Sequence, residues 1–274
     1  MKLMILLFFC VLLSAHAMQV ERVVLSPAEN MQRADLYVLK TDWTPTAILI
    51  LCPGVNGSGE GMVRQPEWQE FARFHQFGLI GLSFASDISY IHKKGYYYAS
   101  QGSGQLLIDG IRQVYGQDLP LLLFGFSGGA HFTSRFEEWK PDRVVAWCAY
   151  SAGWWDEPKA ATANPPGIIA CGDQDLRYGA SLIYFKQGRS LNKPWLWITI
   201  PHTGHSISPE VESFVRNYFD CVLKAQNDNS SNQYGAWIDI DQGTQVEIAA
   251  EPSSVTGWLP DVALIDSWRK ICMP

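Results

Sequence analysis

The 274-residue sequence has no C-x-x-C pair, no cluster of lysine and arginine, and no apolar run of membrane-spanning length past its N-terminal segment. Without closely spaced cysteine pairs, a structural zinc site is not expected. Without a basic run, and with a formal charge of −6, nothing is placed to neutralise a phosphate backbone, which argues against a nucleic-acid partner. The glycine-rich stretch from Cys52 to Gly59 accepts neither G-x-x-x-x-G-K-[ST] nor G-x-G-x-x-G, so a nucleotide loop is set aside in favour of another role or a plain turn. Cysteines are few: after Cys10, three (Cys52, Cys148, Cys171) lie in apolar runs that read as buried thiols. Cys221 and Cys272 are the pair an oxidising compartment would close, although spacing alone fixes no connectivity.

The chain opens with Lys2, an apolar run and Ala15-His16-Ala17, the pattern of a signal peptide cleaved after residue 17. The run is short for a bilayer span, and Phe8 and Phe9 before Cys10 argue against a lipid anchor there. Residues 1–17 are therefore expected to be removed, giving a secreted or periplasmic protein with no stable membrane insertion. A retained N-terminal anchor is the alternative.

The chain is rich in core-forming residues, with 47% hydrophobic and 18% charged side chains. Eleven tryptophans and eleven tyrosines are more than a core of this size takes, so some are expected along a cleft. After two β-like stretches (20–25 and 35–40), continuous apolar runs alternate with amphipathic segments. Strands are predicted at 47–52, 79–84, 119–126, 144–150, 168–171 and 195–200, and helices at 67–77, 104–115, 130–139, 182–187 and 210–223. Such alternation predicts an α/β fold: a mostly parallel central sheet with helices on both faces. A polar stretch at 225–233 separates a main domain, 18–224, from a C-terminal extension, 225–274, too short for its own core and expected to pack on the domain.

Gly125-Phe126-Ser127-Gly128-Gly129 matches G-x-S-x-G. The match alone is weak. Its context is an apolar strand before and a helix after, which places Ser127 on a sharp turn at the carboxyl end of the sheet. A serine hydroxyl needs a base, and the base an orienting acid. Asp175 follows the 168–171 strand and His205 follows the 195–200 strand, giving the order serine, acid, histidine. Asp173 is the competing acid and would otherwise brace its loop. His202 is the competing base; His131 is expected to pack or cap, and His75 and His92 to be solvent-facing or loop residues. Oxyanion donors are expected at the Gly128 N–H and, from the Cys52–Gly59 loop, the Val55 N–H. Tyr97, Tyr98, Trp154 and Trp155 lie on loops after strands and are expected to border a substrate cleft, packing being the alternative. Nothing between Val144 and Gly167 is long enough for a large cap domain.

Together, "FGFSGGAHFTSRFEEWKPDRVVAWCAYSAGWWDEP", "CGDQD" and "HTGHS" resemble the α/β-hydrolase superfamily. They look closest to secreted esterases related to polyhydroxybutyrate depolymerases and to feruloyl and acetylxylan esterases. The resemblance implies carboxylic-ester hydrolysis through an acyl-enzyme on Ser127, acting on a small-molecule or polymer- or carbohydrate-linked ester, with no cofactor and no metal. Cys52-Pro53 replaces the His-Gly often seen before the oxyanion loop. A peptidase of the same fold and a non-catalytic glycan- or polymer-binding relative are the alternative functions.

Overall fold

The computed structural model describes residues 18–89, 91, 93–160, 163–227, 235–247 and 255–274. Residues 1–17, expected to be a signal peptide, His92 and most of the polar stretch at 225–233 lie outside the described residues. An eight-stranded sheet forms the body, built from β1 (Val20–Val24), β2 (Arg33–Leu39), β3 (Ile48–Cys52), β4 (Gly78–Ala85), β5 (Leu121–Phe126), β6 (Val144–Tyr150), β7 (Gly167–Gly172) and β8 (Trp195–Ile200). Its order is β1-β2-β4-β3-β5-β6-β7-β8, parallel from β4 to β8 and antiparallel where β1 and β2 extend the edge. Every residue of β3, β4 and β7 is buried, so both faces of the sheet are covered there. That is why these strands read as unbroken apolar runs rather than as alternation.

The covering helices are α1 (Glu60–Val63), α2 (Pro66–His75), α3 (Ser103–Tyr115), α4 (Gly128–Trp139), α5 (Tyr178–Ser190) and α6 (Pro209–Asn227). In α2 the helical spacing buries Trp68 and Phe71, and the Trp68 ring meets Phe124 of β5 at 5.2 Å. Two helices exceed their predicted lengths by more than a turn. α5 is more than twice as long as expected because apolar Ile183 (59% exposed) sits on its solvent face and blurs the pattern. α6 runs through the first residues of the supposed linker, since Lys224, Ala225 and Gln226 all favour helix. Among the described residues no helix is long and apolar enough to cross a membrane. Residues 151–160 and 163–166, between β6 and β7, hold no helix.

The C-terminal segment forms a small three-stranded sheet, β9 (Ala236–Asp239), β10 (Gln245–Val246) and β11 (Thr256–Leu259), and a final helix, α7 (Ile265–Cys272). It lies against β8. The fully buried Trp268 donates its indole N–H to the Trp197 carbonyl at 2.8 Å. Arg189 of α5 donates to the Thr256 carbonyl at 2.8 Å and stacks its guanidinium 4.0 Å from the Trp237 ring centre. Cys221 and Cys272 remain free thiols. The first faces Asp220 and Asp261, the second the Thr199 backbone, so the segment is tied down by packing and hydrogen bonds rather than by the disulfide considered from sequence.

Strand register sets up the site. Cys52 pairs with Gly125, Phe126 with Tyr150, Tyr150 with Ala170, and Gly172 with Ile200. The loops leaving β3, β5, β6, β7 and β8 therefore emerge side by side at one edge, where open α/β sheets bind ligands.

Candidate active site

Ser127 sits between β5 and α4 with φ 53° and ψ −111°, a conformation L-residues rarely adopt. Such a residue costs about 1–3 kcal/mol and persists only where its surroundings enforce it. The surroundings here are close backbone contacts. A Cβ on Gly125 would lie 2.4 Å from the Gly129 carbonyl oxygen, and one on Gly129 would lie 2.0 Å from that of Cys52. The Ser127 N–H donates to the Tyr150 carbonyl at 2.8 Å, pinning the bend to β6. The flanking glycines are thus required by contact, and the bend lifts the hydroxyl off the sheet.

His205 Nε2 lies 3.0 Å from Ser127 Oγ, and its Nδ1 lies 2.7 Å from Asp175 Oδ2. The imidazole stacks on the Phe126 ring at 4.8 Å, so the residue before the serine also orients the ring. The Asp175 side chain is fully buried. Burial alone would raise its pKa. Hydrogen bonds from His205, from the Arg177 backbone and guanidinium, and from the Ser151 hydroxyl outweigh that, and the carboxyl is held below its ordinary value. It therefore stays charged beside the imidazole. Arg177 supplies an N–H at 3.1 Å and Nη1 at 3.0 Å, both to Oδ1, leaving Oδ2 for the histidine.

Asp173 does the bracing. Its Oδ1 accepts the Thr203 N–H at 3.3 Å, while Asp173 and Gln174 N–H groups donate to the Ile200 and Thr203 carbonyls. These bonds lace the acid loop to the histidine loop. His202 takes a left-handed φ of 54° in that turn, and His205 is the ring that meets Ser127. His131 is buried, accepting the Gly153 N–H at 3.1 Å.

The loop after β3 wraps over the start of α4. A Cβ on Gly128 would lie 2.5 Å from the Val55 nitrogen, so the two backbones are in contact. Among the described residues neither the Gly128 nor the Val55 N–H has an acceptor. Residues that sequence reading missed hold this loop. Asn56, at φ 53°, donates from Nδ2 to the Ser86 carbonyl at 2.9 Å and accepts the Ser86 N–H at 3.0 Å. Arg33 Nη2 donates to the Asn56 and Gly57 carbonyls at 2.7 and 2.8 Å. The Asn56 N–H reaches the Tyr96 hydroxyl at 3.3 Å. Only Asn56 carried a signal, as a residue tolerant of positive φ.

Of the four aromatics expected to border a cleft, Tyr97 departs from expectation. It is 3% exposed, packed 4.8 Å from the His131 ring, and burial pushes its pKa up to about 12. It backs the wall rather than facing solvent, because the loop carrying it folds inward on Ser103 and Ser86. Trp154 and Trp155 are half-buried, stacked on His131 at 3.9 Å and on Tyr184 at 4.2 Å. Tyr98, also half-buried, lies 4.6 Å from the Arg135 guanidinium, which Asp156 holds by a two-pronged ion pair. His131 connects this wall to the serine, one helical turn earlier in α4.

No family model matches the chain, and no curated protein matches it. Solved structures do. A poly(3-hydroxybutyrate) depolymerase from Bordetella parapertussis is 16% identical at a TM-score of 0.55, over 77% of this chain and 91% of that one. An esterase from the archaeon Pyrobaculum calidifontis is 10% identical at 0.56, over 74% and 85%. Poly(aspartic acid) hydrolase-1 from Sphingomonas sp. KT-1 is 17% identical at 0.51, over 68% and 93%. The chain has the α/β-hydrolase fold. Within that fold, the Ser127 bend, the Asp175 loop and the His205 loop lie along one sheet edge, and the β3 loop brings Val55 to Gly128. Among the described residues no group of three or more histidine, cysteine, aspartate or glutamate side chains is placed to hold a metal ion.

Proposed function

We propose that the protein is a serine hydrolase of carboxylic esters, working through an acyl-enzyme on Ser127. The observation that carries this reading is the continuous relay from Asp175 Oδ2 through the His205 ring to Ser127 Oγ, at 2.7 and 3.0 Å. With Nδ1–H donated to Asp175, Nε2 carries the lone pair that removes the serine proton as Oγ attacks the ester carbonyl. The imidazolium formed is stabilised by the buried carboxylate, and it then protonates the leaving alcohol. Charge on the carbonyl oxygen is met by the Gly128 and Val55 N–H groups at the start of α4, whose helix dipole adds to them. Water, deprotonated by His205, releases the acid and restores the serine.

The described residues of the connection between β6 and β7 hold no helix, and two structural neighbours are named for polymers, so polymer- or carbohydrate-linked esters belong to the proposal. Export, with residues 1–17 removed as a signal peptide, is part of it too and rests on the N-terminal sequence pattern. Turnover of short-chain p-nitrophenyl esters tests the reading: it is expected in the wild type and lost in Ser127→Ala, and ester turnover unchanged by that substitution would overturn it.

A further inference from the structure

The proposed mechanism uses only part of Arg177. One nitrogen, Nη1, is spent on Asp175 Oδ1. Among the described residues, Nε and Nη2 have no acceptor, although the side chain is only 37% exposed and its position is fixed at one end by a fully buried carboxylate. The stem lies over the loop after β6. A Cβ on Gly153 would lie 3.5 Å from Nε and 3.6 Å from Cγ. Gly153 in turn donates to His131, whose ring stacks on Trp154 and packs against Tyr97. A guanidinium with two spare donor nitrogens is thus held between the triad acid and the aromatic wall, on the same sheet edge as Ser127.

The other arginine of this wall is not equivalent. Arg135 is 7% exposed and both prongs of its fork are taken by Asp156. The protein as a whole is acidic, at −6, so an anion finds no general attraction to its surface. A fixed cation beside Asp175 in such a protein is selective rather than steering. The planar fork suits a carboxylate, and anchoring on Asp175 removes most of the ordering cost of binding one.

We propose that Arg177 is an anion-recognising subsite and that the preferred substrates are esters carrying a free carboxylate. This rests on the ester-hydrolase reading above and adds the substrate class. The carboxylate approaches Nε and Nη2 while the ester carbonyl lies at Ser127, and Trp154, which follows the Gly153 that the Arg177 stem overlies, borders the linker between the two groups.

The test uses ω-carboxylated p-nitrophenyl esters, from glutarate to suberate, each beside the methyl-ended ester of the same length. The readout is the ratio of kcat/KM for the charged member to that for the neutral one. One chain length is expected to show a maximum ratio in the wild type. Arg177→Gln is expected to lower that ratio by about tenfold, mostly through KM, the size of a partly screened charge-assisted contact. Loss of the Asp175 contact scales both esters together and cancels in the ratio, so a purely structural role leaves it unchanged. Arg177→Lys keeps the charge without the fork and is expected to fall between. Raising the ionic strength screens the Arg177 contact and the net charge of −6 alike, so the ratio is expected to fall more in the wild type than in Arg177→Gln, where only the net charge responds. A ratio that does not respond to Arg177→Gln at any length, or that responds to salt equally in both proteins, overturns the proposal. Should Ser127→Ala still turn over both esters, the hydrolase reading falls instead. Calorimetric binding of adipate to wild type and to Arg177→Gln then still decides the subsite: tighter binding by the wild type supports it, and equal binding refutes it.

Discussion

Replacing Asp175 by asparagine isolates one element of the relay, because the two side chains have the same shape. The buried carboxylate accepts from His205 Nδ1 at 2.7 Å through Oδ2 and from Arg177 through Oδ1. Arg177 can only donate, so an asparagine there must turn its carbonyl oxygen toward Arg177 and its NH2 toward the ring. His205 would then have to accept at Nδ1 and carry its proton on Nε2, facing Ser127 Oγ with a donor where a base is needed. The same tautomer error in a serine protease costs about ten-thousand-fold in kcat, or roughly 5 kcal/mol of barrier. A loss of that order is expected here, read as kcat on short-chain p-nitrophenyl esters at neutral pH. Asp173→Asn serves as the control, since that residue meets the Thr203 N–H rather than the imidazole. Its effect is expected to stay within about tenfold, acting through loop position. A loss below tenfold in Asp175→Asn, or a larger loss in Asp173→Asn, would refute the assignment of the acid.

The geometry sets three more outcomes. Asn56→Ala removes both side-chain bonds to Ser86 and frees the loop that carries the Val55 N–H, so kcat is expected to fall by about tenfold to a hundredfold with KM little changed; an unchanged kcat would remove Val55 from the oxyanion site. Trp268→Ala empties a fully buried site and strands the Trp197 carbonyl, an expected loss of about 3–5 kcal/mol in denaturant unfolding; a loss under about 1 kcal/mol would mean the C-terminal segment is loosely attached. Burial pushes Glu137 up to about 8 despite Lys193 3.5 Å away, so the folded protein keeps a proton that the unfolded chain releases above about 4.5. Its contribution to stability is lost as pH rises between those values, and Glu137→Gln is expected to flatten that part of the stability–pH curve; a curve of unchanged slope would contradict it.

The parallel strands and the serine bend could be read from sequence for a shared reason: both depend on local burial and local sterics. Runs such as Ile48–Cys52 are apolar throughout because both sheet faces are covered, and Gly125 and Gly129 are small because backbone approaches within Cβ range. Asp175 and His205 were placed by the rule that loops at strand ends meet. Asp175 is preferred over Asp173 from the sequence, and in the actual turn Asp173 points to the neighbouring loop. The clamp of Arg33, Asn56, Ser86 and Tyr96 joins residues 10 to 40 positions apart through strand register, which no spacing pattern encodes. Tyr97 turns inward because of the hydrogen bonds of its loop, not its own hydropathy. The strands β9 to β11 are too short, at two to four residues, for alternation to stand out.

The most direct test of the relay is covalent capture of the nucleophile. A serine-directed phosphonate followed by peptide mapping is expected to give a single adduct, on Ser127, whose formation slows by orders of magnitude in His205→Ala. Labelling at another residue, or turnover of esters by a protein that the Ser127-directed reagent leaves unmodified, would contradict the account.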